Sequence, residues 1–154
     1  MYTIKTSIEI AAPIATLKPA ISTLEGFRAW LNVDAQKDAA GRYDLPFGPR
    51  RVTFALDRVD DRGVVMTCVR EENNPDWLGT ELTITLTPLA DGKTHVALVH
   101  TGYPSKNECY ERCIGAWDHC RSSLAGYATT GKGRPFDVKV AAPARAQAQA
   151  EARS

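Results

Sequence analysis

The chain has 154 residues, a formal net charge of +1 and 44% hydrophobic residues. That length suits one domain with a core of its own, and the near-neutral balance gives no field to draw nucleic acid or an acidic membrane surface. No apolar run approaches the ~18 residues of a membrane span, and the opening MYTIKTSIEI lacks the hydrophobic centre and cleavage site of an export signal, so the cytoplasm is the expected location.

Residues 3–10 alternate and predict a first strand, closed by Ala12-Pro13. Over residues 14–31, Leu17, Ile21, Leu24, Phe27, Trp30 and Leu31 keep a helical spacing. Pro19 and Gly26 interrupt it, which predicts two short helices in succession. Residues 32–40 are polar and irregular. Strands are expected at 41–47 and at 51–59, the latter with Val52, Phe54 and Leu56 on one face. The turn Asp60-Asp61-Arg62-Gly63 leads into a partner strand at 64–70, and a loop carrying Pro75 and Trp77 fills 71–78. The clearest strand is 80–86, with Leu82, Ile84 and Leu86 inward and Glu81, Thr83 and Thr85 outward. After the tight connection Ala90-Asp91-Gly92-Lys93, residues 94–101 place Val96, Leu98 and His100 on one face.

The longest helical period follows, in SKNECYERCIGAWDHCRSSLAGYATT. Cys109, Cys113, Trp117, Cys120, Leu124 and Tyr127 form an apolar stripe, and Lys106, Glu111, Arg112, Asp118, Arg121, Ser122 and Ser123 are expected to meet water. Ser105 with Glu108 reads as a capping box and Gly131 as the stop. A helix of about 25 residues is roughly 37 Å long, enough to cross a small domain. Residues 137–154 are mostly Ala, Arg, Gln and Val, with no face to bury, and are expected to be a disordered tail beyond a domain at 1–136. The expected architecture is α+β: a curved antiparallel sheet of six to seven strands, two short helices after the first strand, and a long C-terminal helix on one face. Such a helix leaves space against a strongly bent sheet, and that space is where small molecules bind.

Three stretches carry a resemblance: IEIAAPIATLKPAISTLEGFRAW, GTELTITLTPLADGKTHVALVHTGYP and WDHCRSSLAGYATTGKGRPF. In this order, with His100-Thr101-Gly102-Tyr103 closing the last strand and Thr130-Gly131-Lys132-Gly133 at the exit, the chain resembles the START-like, helix-grip superfamily (SRPBCC). Within it, the chain is similar to activators of the ninety-kilodalton heat-shock-protein ATPase (AHSA type). One departure is Gly41-Arg42-Tyr43, where relatives often carry paired glycines. The resemblance implies the helix-grip fold and offers a hydrophobic ligand cavity or a chaperone surface, but no single reaction.

Ligand binding in that cavity is the leading expectation. Its walls would be Trp30, Phe54, Met66, Leu82, Leu98, His100, Cys113, Trp117 and Leu124, a list that equally describes a packed core. The partner would be an apolar or aromatic small molecule. A chaperone is the second expectation, and a homodimer is compatible with either; nucleic acid and membrane insertion are not expected. A third reading is a cyclase or lyase step at His100, but the alternation brings no carboxylate beside it, and Tyr43 and Tyr103 offer only hydroxyls, so no catalytic set is assigned. The four cysteines form no disulfide framework. Cys109 and Cys113 lie one turn apart, whereas Cys120 lies roughly 10 Å further along the axis. No metal or cofactor is assigned, and a redox role for Cys109, Cys113 and Cys120 stays open.

Overall fold

The computed structural model describes residues 1–137. The expectation for the tail falls, Asp137 apart, outside the described residues. Strand β1 (Tyr2–Ile10) leads into helices α1 (Ile14–Ser22) and α2 (Leu24–Trp30). Strands β2 (Gln36–Lys37), β3 (Tyr43–Phe47), β4 (Arg50–Asp60), β5 (Gly63–Glu72), β6 (Glu81–Pro88) and β7 (Thr94–Tyr103) follow, and α3 (Glu108–Thr130) comes last. The strands form one sheet in the order β1-β7-β6-β5-β4-β3-β2, every pairing antiparallel. This is the expected α+β arrangement of six to seven antiparallel strands, and the two-residue β2 falls in the stretch 32–40 expected to be irregular.

The break between α1 and α2 has a different cause from the one expected. Pro19 and Gly26 both lie inside helices. The chain breaks at Thr23, whose extended backbone leaves α1 and whose hydroxyl accepts from Gly26 N at 3.0 Å, satisfying one of the open donors of α2. At the start of α3 the cap is Asn107 rather than Ser105: its side chain accepts from Tyr110 N at 3.1 Å. Gly131 ends α3 as expected, with φ of 80° and its N–H on Tyr127 O.

In β4, Val52, Thr53 and Phe54 are buried in succession and Leu56 is only half-buried. Register shifts at Thr53/Phe54 and Leu56/Arg58 break the two-residue alternation there and bend the strand. The β4–β5 hairpin closes at Asp60 and Gly63. Gly63 has φ of +129°, and a Cβ there would collide with Ile84 O on β6, so the hairpin needs glycine twice over.

The core lies between the concave sheet and the helices. β6 and β7 contribute Leu82, Ile84, Leu86, Val96 and Leu98, all essentially inaccessible; full burial of side chains of this size contributes about 1.5–3 kcal/mol each. Trp30 closes one end, its Nε1–H donating to Ala20 O at 2.7 Å. α3 also covers the β1 edge: Tyr110 Oη donates to Thr3 O at 3.1 Å, Arg121 Nη1 to Ser7 O at 2.7 Å, and Thr6 Oγ1 to Asp118 Oδ1 at 2.8 Å. Backbone groups that would otherwise invite another strand are thus engaged. Among the described residues no helix is long and apolar enough to cross a membrane.

Candidate functional site

Two regions meet at the middle of α3. The first is a buried cluster around His100, which the β7 alternation turns inward. Trp117 Nε1–H donates to His100 Nδ1 at 3.1 Å, and Tyr103 Oη lies 2.7 Å from the same nitrogen. An indole N–H can only donate, so Nδ1 carries the lone pair and Nε2 carries the hydrogen. Nε2–H then donates to Thr80 Oγ1 at 2.8 Å, and Thr80 Oγ1 donates to Trp77 O at 2.6 Å. Burial pushes the His100 pKa down to about 3 and raises that of Tyr103. The imidazole is enclosed by Trp77, Trp117 and Tyr103, with ring centroids 4.6, 5.4 and 4.8 Å away. Trp77 and Trp117 stack at 5.9 Å and 15°.

The second region is a cavity of about 660 Å³ along the same stretch of α3. Cys113, Ala116, Trp117 and Cys120 of α3 form one wall. Leu31 and Val33 after α2, Phe47 of β3 and Trp77 from the β5–β6 loop form the rest, with Pro135 and Phe136 closing the far side. The exit from α3 makes that last wall by returning to the end of α2. Val33 N donates to Phe136 O at 3.0 Å, Phe136 N donates to Leu31 O at 2.9 Å, and the Phe136 ring meets Phe47 edge-on at 5.2 Å. Gly133 permits the crossing, since a Cβ there would collide with Ala29 O. Ser123 pins it: its buried hydroxyl donates to Trp30 O and accepts from Arg134 N, both at 2.7 Å. Ser123 was expected to face water; it is buried because the segment leaving α3 lies over it.

The polar groups of this cavity are few. Arg50, Arg112, Arg134, His119, Asn74 and Asp137 line it. His119 Nε2 donates to Arg134 O at 2.9 Å. The Trp77 indole N–H is buried with no acceptor among the described residues.

The expected wall residues divide between several places. Cys113 and Trp117 line the large cavity. Phe54, Met66 and Leu82 line, with Trp77 and Trp117, a separate void of about 10 Å³, room for one water at most. Trp30, Leu98, His100 and Leu124 line neither and sit in the core. Sequence reasoning assigned no site role to Trp77, Phe47, Phe136 or Arg50, and it expected Arg112 to meet water. A tryptophan in the loop NNPDWLGT, rich in turn-forming residues, was the available signal, since a large aromatic ring in such a loop needs somewhere to pack.

Three thiols are shifted by burial. Burial pushes the Cys68 and Cys109 pKa values up to about 11 and that of Cys120 up to about 12, which keeps them protonated and weakly nucleophilic. Among the described residues no group of three or more His, Cys, Asp or Glu side chains could hold a metal ion.

No protein-family model matches the sequence, and no curated protein matches it. Solved structures do match. The chain is similar to the Aha1 dimer structure from Colwellia psychrerythraea, with a TM-score of 0.76 and 22% identity, covering 86% of this chain and 100% of that one. A structural-genomics protein from Mesorhizobium loti gives 0.67 and 20%, covering 80% and 94%. DynU16, from the dynemicin biosynthetic locus, gives 0.65 and 18%, covering 88% of this chain and 50% of its own. At these identities the likeness concerns the fold. The chain has the helix-grip fold that its sequence resemblance implied.

Proposed function

We propose that this domain binds an apolar or aromatic small molecule in the cavity between α3, the β3–β4 hairpin and the segment leaving α3. The observation that carries the reading is the cavity itself. Its volume of about 660 Å³ and its wall of Leu31, Val33, Phe47, Trp77, Trp117 and Phe136 fit the size and composition of ordinary small-molecule sites. The lining proposed here keeps Cys113 and Trp117 and adds Phe47, Trp77 and Phe136. Trp30, Leu98 and Leu124 serve the core instead.

A cyclase or lyase step at His100 has no support in this arrangement. The imidazole lines no cavity, its lone pair is taken by Trp117 and Tyr103, and its hydrogen is given to Thr80. The test of ligand binding is entry of N-phenyl-1-naphthylamine, a neutral apolar fluorophore. Its emission is expected to rise with the wild-type protein and to fall back with Ala116→Trp, which fills the cavity from an exposed helix position. Native mass spectrometry of protein from its own source is expected to reveal a retained guest. Equal fluorophore uptake by the wild type and Ala116→Trp would remove the reading.

A second reading is a protein-interaction module of the chaperone-activator type. The likeness to the Aha1 structure over the whole of that chain favours it. Stimulation of the cell's chaperone ATPase by the purified domain tests this reading, and sedimentation velocity tests whether the domain pairs with a second copy.

A further inference from the structure

We infer that the guest of this cavity is an anionic amphiphile: an apolar body carrying one carboxylate, held at the mouth by Arg50, Arg112 and Arg134. The inference rests on the small-molecule reading above and adds the chemical class of the guest. The three arginines come from separate parts of the chain, the start of β4, the second turn of α3 and the segment leaving α3, yet line one cavity.

Of the arginines elsewhere among the described residues, Arg28, Arg62 and Arg70 have no ion pair with a described carboxylate and four do. Arg42, Arg51, Arg58 and Arg121 each have a carboxylate oxygen within 4.0 Å, in pairs with Asp38, Asp44, Asp60 and Asp118. Arg50, Arg112 and Arg134 have no such ion pair among the described residues, and a single carboxylate, Asp137, lines the cavity with them. A guanidinium offers a fork of N–H donors that matches a carboxylate in two places, and its attraction strengthens where an apolar wall excludes water. An anionic head at the mouth would therefore gain from all three, a cationic head would be repelled, and a neutral one would gain nothing from the charge.

The test compares two probes with one body: dansyl-undecanoic acid and its methyl ester, titrated by fluorescence against the full chain near neutral pH. The acid is expected to bind about tenfold more tightly than the ester, the sum of three modest charge contacts. Added salt is expected to narrow that ratio. The triple variant Arg50→Gln, Arg112→Gln, Arg134→Gln should bring the acid down to the ester's affinity and leave the ester unchanged. Arg112→Gln alone, at an exposed position, should close part of the gap. Equal binding of acid and ester by the wild type would overturn the inference while leaving the cavity reading intact. A triple variant that keeps its circular dichroism but weakens both probes equally would also overturn it, because the arginines would then act through packing. Binding of neither probe would remove the cavity reading and this inference together.

Discussion

The His100 cluster and the α3 cavity share two walls, Trp77 and Trp117, and treat polar groups in opposite ways. In the cluster the polar atoms of His100, Thr80 and Tyr103 answer one another in a fully buried interior. At the cavity the guanidiniums of Arg50, Arg112 and Arg134 have no carboxylate within ion-pair distance among the described residues. A satisfied buried network holds one packing arrangement in place and leaves nothing over for a guest. Charge with no ion pair among the described residues, set beside an apolar hollow, is the reverse: it contributes little to the fold and, on the proposed reading, acts on what enters. The histidine, conspicuous in the sequence, is part of the buried framework, and the arginines are the groups that the proposal assigns to the guest.

The largest expected effect comes from the wall that both regions share. Trp117→Ala removes a buried indole and the donor to His100 Nδ1, and should cost about 3–5 kcal/mol in urea denaturation. Acid comes next. Burial depresses the folded-state pKa of His100 to about 3 from its ordinary value of 6.5. Between those pH values the unfolded chain binds a proton that the folded chain does not. Stability from this group is therefore full above pH 6.5 and falls by about 1.4 kcal/mol per unit as pH drops towards 3. Parallel urea titrations of wild type and His100→Gln across this range should show that slope in the difference between them; identical slopes would place the acid sensitivity elsewhere.

Thr80→Val should cost about 1–3 kcal/mol, because the His100 Nε2–H then lacks its acceptor in the interior. Fluorophore uptake by the same variant should be unchanged, since Thr80 does not line the cavity. At the other end of the scale, Arg112→Gln should alter stability by no more than about 0.5 kcal/mol. A loss comparable to that of Thr80→Val would mean that the mouth is part of the framework too, and the contrast between the regions would fail.

Most of the framework was legible because periodicity reports which way a side chain points. The alternation of Leu82, Ile84 and Leu86 on β6, and of Val96, Leu98 and His100 on β7, matches their burial residue for residue. The β4 period fails beyond Leu56, where Asp57 is an extra residue that no two-residue period anticipates. Ser123 was missed because its burial depends on a segment that crosses it from beyond the helix.

By itself the sequence determined the antiparallel sheet, the two short helices, the long helix with its glycine stop, and the inward set that forms the core. These follow from local spacing, turn chemistry and capping, which act between residues near one another in the chain. Only the tertiary structure decided which inward residues meet open space. An apolar stripe gives a direction but not a depth, so Trp30, Leu98 and Leu124 read the same as Cys113 and Trp117 although the first three are core and the last two are cavity wall. The return of Phe136 to the end of α2, and the convergence of Arg50, Arg112 and Arg134, join residues up to about a hundred positions apart. Packing brings such groups together, and no local period records it.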